Sequence, residues 1–376
     1  MVLQTVTIEE LRLPSVAVIG TRGYPSYYGG YETTVRKLAP YFASLGWDVT
    51  VYGRRGATKP DDKDLDTRVA ARFTAGFETQ KLSTLSHGFT AAIDAAARRP
   101  DVALVCNVAN GYFLPLLKAR GIPTLVNVDG IEWERAKWSP LAQRVFHSGA
   151  QLAAKWATEL VFDARAIENY WRQTFGAKGM FIPYGGDVPP KLDVPDGLAH
   201  RGYVLLIARF VPENSVPEFF QAVPAIAAKY PVVIVGGSGY GGELDNAAGQ
   251  LAASHPSVSW LGQISDDRLL LALWQHAGIY FHGHSVGGTN PSLVQAMAAS
   301  APILARDTIY NREVLGTAGR FVSAEPEAIA RTVLQMMENR TELDQLAGEN
   351  LQRAEQHYSW PQVCEAYEHA LRGLLR

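Results

Sequence analysis

The stretch that most limits what this chain can fold into is residues 278–297, GIYFHGHSVGGTNPSLVQAM. The apolar run at 279–281 predicts a strand. Gly287 and Gly288 follow, where a glycine pair lets the main chain turn tightly with its N–H groups free to point at an anion. Asn290 stands where an N-cap is expected and Pro291 where the first helical residue is expected, so a helix starts there. Its positive end would face the same place as the amides of the turn, the arrangement that holds a phosphate. The string also describes an ordinary strand, turn and helix, so its weight depends on the rest of the chain.

A matching feature lies near the N-terminus. VAVIG at 16–20 reads as a strand, TRGYPSYYGG at 21–30 as a glycine loop, and 31–45 as a helix. Two such units far apart predict two nucleotide-type α/β domains, with loops that face each other across a cleft, the usual ligand site of open parallel sheets. A length of 376 residues also favours two domains over one.

Between these blocks the chain alternates. Runs at 49–52, 102–105, 124–127 and 181–183 read as buried strands, and 85–98, 111–119 and 137–157 as helices. Such alternation predicts a parallel sheet covered on both faces. Three prolines within 187–196 break the pattern and read as a linker. Strands resume at 203–207, 232–235, 258–261, 279–281 and 302–305. The chain is helical beyond Glu325 and ends in an amphipathic helix at 360–375. The expected domains are therefore 1–190, 191–358 and a C-terminal helical segment, 359–376.

Charge and cysteine content exclude several functions. A formal net charge of −2 with 19% charged residues leaves no basic footprint for nucleic acid. Cys106 and Cys364 are the only cysteines, which predicts reduced thiols in a cytoplasmic protein. Glu9 and Glu10 stand where a secretory signal would be basic and then apolar. No window reaches the roughly 18 apolar residues of a membrane span, so a soluble or peripheral protein is expected.

Four blocks in order, VIGTRGYPSYYGGYETT at 18–34, NVDGIEWERAKW at 127–138, IPYG at 182–185 and HGHSVGGTNPS at 282–292, resemble bacterial glycosyltransferases of family 4. The resemblance runs from Val16 to the C-terminus. It is strongest to the branch with a rhamnosyltransferase-type N-terminal domain, found in cell-surface polysaccharide biosynthesis. It implies a GT-B architecture of two Rossmann-like domains facing across a cleft. The donor, a dTDP-, UDP- or GDP-sugar, is then held mainly by the C-terminal domain, and a glycan or lipid-linked acceptor by the N-terminal one. The final helix crosses back to the first domain. The implied reaction is retaining hexosyl transfer without a metal or any other cofactor.

Transfer without a metal needs cations, helix dipoles and N–H groups to stabilise the leaving diphosphate. Arg209, just past a strand, matches the arginine that relatives place there; a structural ion pair is the alternative. Asn214 stands where many relatives carry a lysine. Relatives also place two glutamates eight residues apart around the donor-site helix, and here those positions are Gly287 and Gln295. Gln295 can still hydrogen-bond a ribose hydroxyl. Gly288, Thr289 and Asn290 are then expected to supply donor contacts, His284 a phosphate contact, and Gln263 a base contact. His282 reads as packing, or with His284 as a metal pair.

In the first half, Asp129 and Glu132 follow a strand and suit orientation of an acceptor hydroxyl or contact with the donor sugar, with helix capping as the alternative for Asp129. Gly29 and Gly30 are expected on the phosphate side, and Glu32 either at an acceptor hydroxyl or the donor sugar, or at a helix dipole. Arg22 and Tyr184 are further candidates. The expected mechanism is front-face substitution through an oxocarbenium-like state, with the departing phosphate as base.

Other readings follow from other features. Residues 237–242 fit G-x-G-x-x-G and raise a dinucleotide-dependent oxidoreductase, although no acid ends the next strand. Asp64-Leu-Asp66 fits a short metal-binding motif or a solvated loop. Loss of both glutamates suits a catalytically inactive nucleotide-sugar-binding protein. Aromatic and basic residues from Trp133, Arg135, Lys137 and Trp138 to Arg144, Lys155, Trp156, Trp171 and Arg172 suit peripheral membrane contact or an ordinary amphipathic surface.

Overall fold

A computed structural model describes residues 13–27, 29–59, 61–62, 65–77, 83–128, 130–135 and 138–375. Asp129, Asp64, Lys137, Glu9 and Glu10 lie outside these residues. Contacts divide the chain into two compact units. The first comprises residues 1–161, 175–180 and 364–376, the second 162–174 and 181–363.

The first unit is built on β1 (Ser15–Ile19), β2 (Asp48–Gly53), β3 (Val69–Phe73), β4 (Val102–Cys106), β5 (Thr124–Asn127), β6 (Glu159–Phe162) and β7 (Met180–Phe181). Their order is β3-β2-β1-β4-β5-β6-β7. β1 pairs parallel with both β2 and β4, so the strand order reverses between β1 and β4. β1, β4 and β5 are buried almost throughout, as continuous β-branched runs in a doubly covered sheet should be. The sequence does not announce β3 or β6. β3 is largely exposed along VAARF, so it carries no apolar run to read.

The last part of the helix Trp360–Arg372 belongs to this unit. Asn127 Nδ2 donates to the Tyr367 hydroxyl at 2.5 Å, and Trp47 Nε1 to Glu368 at 3.3 Å. The Arg372 guanidinium lies over the Trp47 ring. Burial of Tyr367 and Leu371 contributes roughly 1.5–3 kcal/mol each.

The second unit holds β8 (Val204–Ile207), β9 (Val232–Val235), β10 (Val258–Trp260), β11 (Ile279–His282), β12 (Ile303–Arg306) and β13 (Arg320–Val322), ordered β10-β9-β8-β11-β12-β13. All its pairings are parallel, in the order of a dinucleotide-binding fold. Alternate residues feed two cores. Val204, Leu206, Val232, Ile234, Ile279 and Phe281 enter one, and Tyr203, Leu205, Val233, Val235 and Tyr280 the other.

The proline-rich segment is pinned to this unit. Leu192 N–H donates to Gln275 Oε1 at 2.8 Å, Gln275 Nε2 to the Pro190 carbonyl at 3.2 Å, and His276 Nε2 to the Leu192 carbonyl at 2.9 Å. Strand order reverses between β8 and β11, so the loops leaving those two strands flank the crevice where such sheets bind ligands.

Candidate functional site

The loop after β8 carries Arg209. Its carbonyl accepts from Asn214 Nδ2 at 3.0 Å and from Val211 N–H at 2.9 Å, which fixes the main chain. The side chain is exposed, and among the described residues it has no carboxylate partner. Asn214 is buried, with its amide directed at that carbonyl, so here it shapes the loop that presents Arg209.

The loop after β11 is stitched to it. Ser285 donates to the Glu213 carbonyl from both N–H (2.9 Å) and Oγ (2.8 Å). Ser215 Oγ donates to the Gly283 carbonyl at 2.8 Å and accepts from Arg306 Nη1 at 2.8 Å. Gly283 is obligatory, since a Cβ there would lie 2.2 Å from the Asn214 carbonyl oxygen. Asn311 Nδ2 donates to the His284 carbonyl at 2.9 Å.

The turn itself forms as its residues require. Gly287 has φ +104°, a left-handed conformation that favours glycine. Asn290 Oδ1 accepts from Ser292 N–H at 2.9 Å, and Pro291 opens the helix Pro291–Ala298. Gly288 and Thr289 are buried, however, and only Gly287 and Asn290 are part-exposed. The reason is Asp163, just past β6 and 1% exposed. Its carboxylate packs so closely on Gly288 that a Cβ would lie 2.0 Å from Oδ1, and its carbonyl accepts from Thr289 Oγ1. Of the residues expected to meet the donor there, Gly287 and Asn290 are the part-exposed ones, beside an exposed Val286. Asp163 was missed because β6 was missed; an acid directly after a short apolar run was the available signal.

Gln295 is engaged elsewhere than on a ribose. Its Oε1 accepts from Asp187 N–H at 3.1 Å and its Nε2 donates to the Asp187 carbonyl at 2.7 Å. The preceding glycines are packed: a Cβ at Gly185 would lie 2.6 Å from the Trp360 ring, and one at Gly186 2.9 Å from Ala298 Cβ. Residues 182–187 therefore form a strap on the helix Pro291–Ala298, with Tyr184 buried in it. Gln263 is exposed after β10, beyond Gly262.

His282 is fully buried at the end of β11 and its ring stacks on His284, 4.4 Å between centroids. Its Nδ1 lies 3.0 Å from the Tyr280 hydroxyl, which also reaches the Ile207 carbonyl at 3.3 Å. Burial, helped by His284, holds its pKa well below the ordinary histidine value, so the ring is neutral. Among the described residues no group of three His, Cys, Asp or Glu side chains converges to suit a metal ion.

In the first unit, Gly20 has φ +97°, and a Cβ there would lie 2.1 Å from the Cys106 carbonyl oxygen, so the loop leaves β1 hard against β4. Gly29 caps the helix Gly30–Ser44 with extended backbone. Glu32, in its first turn and buried, accepts from Arg22 N–H at 3.0 Å and so braces the glycine loop. Glu132 is buried with both oxygens engaged, one by Arg135 Nε at 2.9 Å and one by Trp138 Nε1 at 2.8 Å. Trp133 and Trp171 are buried, which removes them from any membrane-facing surface. Among the described residues no helix is long and apolar enough to cross a membrane.

The G-x-G-x-x-G loop after β9 is closed by the chain's own acid. Asp245 accepts from Ser238 N–H at 3.0 Å, from Gly242 N–H at 2.8 Å and from Ser238 Oγ. Burial works against its charge, but these hydrogen bonds hold its pKa below the usual carboxylate value, so a negative group sits where a dinucleotide's pyrophosphate would need those amides.

Residues 29–185 match the glycosyl transferase 4-like domain, and residues 201–339 match glycosyl transferases group 1. Sucrose-phosphate synthase from Thermosynechococcus elongatus is similar with a TM-score of 0.80 and 17% identity, over 96% of this chain and 99% of that one. HepE from Anabaena, solved in complex with UDP, gives 0.73 and 15%, over 96% and 100%. A glycosyltransferase from Rickettsia africae gives 0.74 and 12%, over 97% and 99%. At these identities the structures speak for the fold alone. No curated protein sequence matches the chain. The domains and the fold together define a glycosyltransferase of the GT-B type. Within that class it joins a 4-like N-terminal half to a group 1 C-terminal half.

Proposed function

We propose that this enzyme moves a hexose from a nucleoside diphosphate sugar to a glycan or lipid-linked acceptor, with retention and without a metal, in bacterial cell-surface polysaccharide assembly. The observation that carries the reading is the pair of loops at the β8/β11 reversal: Arg209 on one, unpaired and exposed, and the Gly287 turn with its Asn290-capped helix on the other. Arg209 and the helix terminus meet the charge that develops on the leaving diphosphate. HepE, which shares the fold, has been solved with UDP and with UDP-glucose, which supports a nucleotide sugar as donor.

The acceptor hydroxyl attacks from the side of the departing phosphate, and the phosphate takes its proton. Asp129 is assigned to orient that hydroxyl. Glu132, held by Arg135 and Trp138, keeps the segment after β5 in place. Rhamnose as the sugar rests on family analogy, and a cytoplasmic site of action on cysteine usage.

A panel of nucleoside diphosphates and their sugars, scored by thermal stabilisation and slow donor hydrolysis, tests the reading without an acceptor. At least one donor should stabilise and be hydrolysed. Stabilisation without hydrolysis or transfer would favour an inactive nucleotide-sugar-binding protein, and no stabilisation by any member would overturn the proposal.

A further inference from the structure

Tyr27, exposed on the loop after β1, carries two cations. The Arg36 guanidinium carbon lies 3.8 Å from its ring centroid and the Lys59 ammonium 4.4 Å. The loops that bring them together are joined through the main chain, by Arg54 N–H to the Arg22 carbonyl at 3.0 Å and Lys59 N–H to the Pro25 carbonyl at 2.9 Å. Among the described residues neither Arg36 nor Lys59 pairs with a carboxylate. The nearby acids are engaged: Glu32 by Arg22 N–H and Asp62 by the Tyr27 hydroxyl.

One aromatic face stabilises one cation, and a second cation on the same ring adds repulsion that an anion between them would remove. The place is also informative. Both loops leave the carboxyl ends of adjacent parallel strands, β1 and β2, where open sheets bind ligands. In a chain of net negative charge, two exposed or half-exposed, unpaired cations on a tethered platform are the feature a phosphate would select.

We infer that Arg36 and Lys59 bind a phosphate or diphosphate group of the acceptor, which makes the acceptor an anionic, phosphate-bearing molecule and not a neutral glycan. The inference rests on the transferase reading above. The phosphate can belong to a membrane-anchored polyprenyl diphosphate or to a soluble sugar phosphate, which share this chemistry.

The test is lysine acetylation followed by mass spectrometry on the full chain, with uridine diphosphate present in excess and its binding recorded by calorimetry in the same samples. Inorganic pyrophosphate is the probe and the exposed Lys178 the internal control. Pyrophosphate should slow acetylation of Lys59 severalfold and leave Lys178 unchanged. Arg36→Gln should raise the concentration needed by about tenfold, as loss of one charge-assisted contact does. Vesicles containing a polyprenyl diphosphate and a soluble sugar phosphate, compared at equal phosphate, then identify the source by which one protects Lys59. Unprotected Lys59, or equal protection in Arg36→Gln, would overturn the inference. Absence of uridine diphosphate binding would instead count against that donor, so the two failures are distinguishable.

Discussion

Replacing Gly288 with alanine probes the contact that shapes the turn. The new methyl carbon would lie 2.0 Å from Asp163 Oδ1 and 2.4 Å from its Cγ, against an ordinary contact of roughly 3.5 Å, so one partner must move by more than about 1 Å. Asp163 is 1% exposed and its carbonyl is tied to Thr289, so the carboxylate cannot swing into solvent without opening the turn. Overpacking of this kind costs about 1–3 kcal/mol. For a unit of this size that lowers Tm by roughly 2–12 °C. Urea unfolding followed through Trp260 and Trp274, both in the second unit, reads the change. The cycle with Asp163→Ala is the sharper measure. The double variant should be more stable than the sum of the single effects by about 1 kcal/mol or more, because the methyl then fills the space the carboxylate leaves. If Gly288→Ala unfolds at the wild-type urea concentration, or if the two substitutions are additive within about 0.5 kcal/mol, Asp163 does not pack on this turn.

Gln295→Glu removes the donor to the Asp187 carbonyl and sets a carboxylate against it, so the second unit should lose about 1–3 kcal/mol in urea unfolding; tighter nucleotide binding instead would place residue 295 on a ribose. Glu132→Ala removes the carboxylate that Arg135 and Trp138 share and should cost about 1–3 kcal/mol in the first unit while nucleotide affinity stays constant, a separation that calorimetry and urea unfolding together can check. The second unit should also weaken in acid. Burial, then Arg201, His276 and Arg340, hold the His200 pKa below its ordinary value, so the unfolded chain takes up the proton first as pH falls. The stabilisation is fully present above pH about 6.5 and is lost as pH drops below it. His200 Nδ1 and His276 Nδ1 are 2.9 Å apart and share one proton, so a second proton breaks the contact; His200→Phe should flatten that pH dependence of Tm.

Much of this geometry was legible in the residues. The Asn290 cap, the Pro291 start and the left-handed Gly287 follow from local chemistry that no distant contact overrides. The apolar runs of β8, β9 and β11 announce themselves because both faces of the sheet are covered. β3 and β6 were silent; β3 is exposed at an edge and carries no apolar run. The roles of Asp163, Gln295 and Asn214 were hidden for a different reason. Each acts through a main-chain or packing contact whose partner is set by tertiary structure: Gly288, 125 positions from Asp163 in the chain, Asp187 for Gln295, and the Arg209 carbonyl for Asn214. A sequence shows an amide or a carboxylate at the right strand end. It does not show that the group is already engaged.

The most direct measurement is calorimetric titration of nucleoside diphosphates into the wild-type chain and into Arg209→Ala. Because the side chain is exposed and unpaired, the substitution should leave Tm without ligand unchanged. It should weaken the preferred diphosphate by roughly tenfold to a hundredfold, the value of a hydrogen bond to a charged group. Equal affinity in the two proteins would contradict the account.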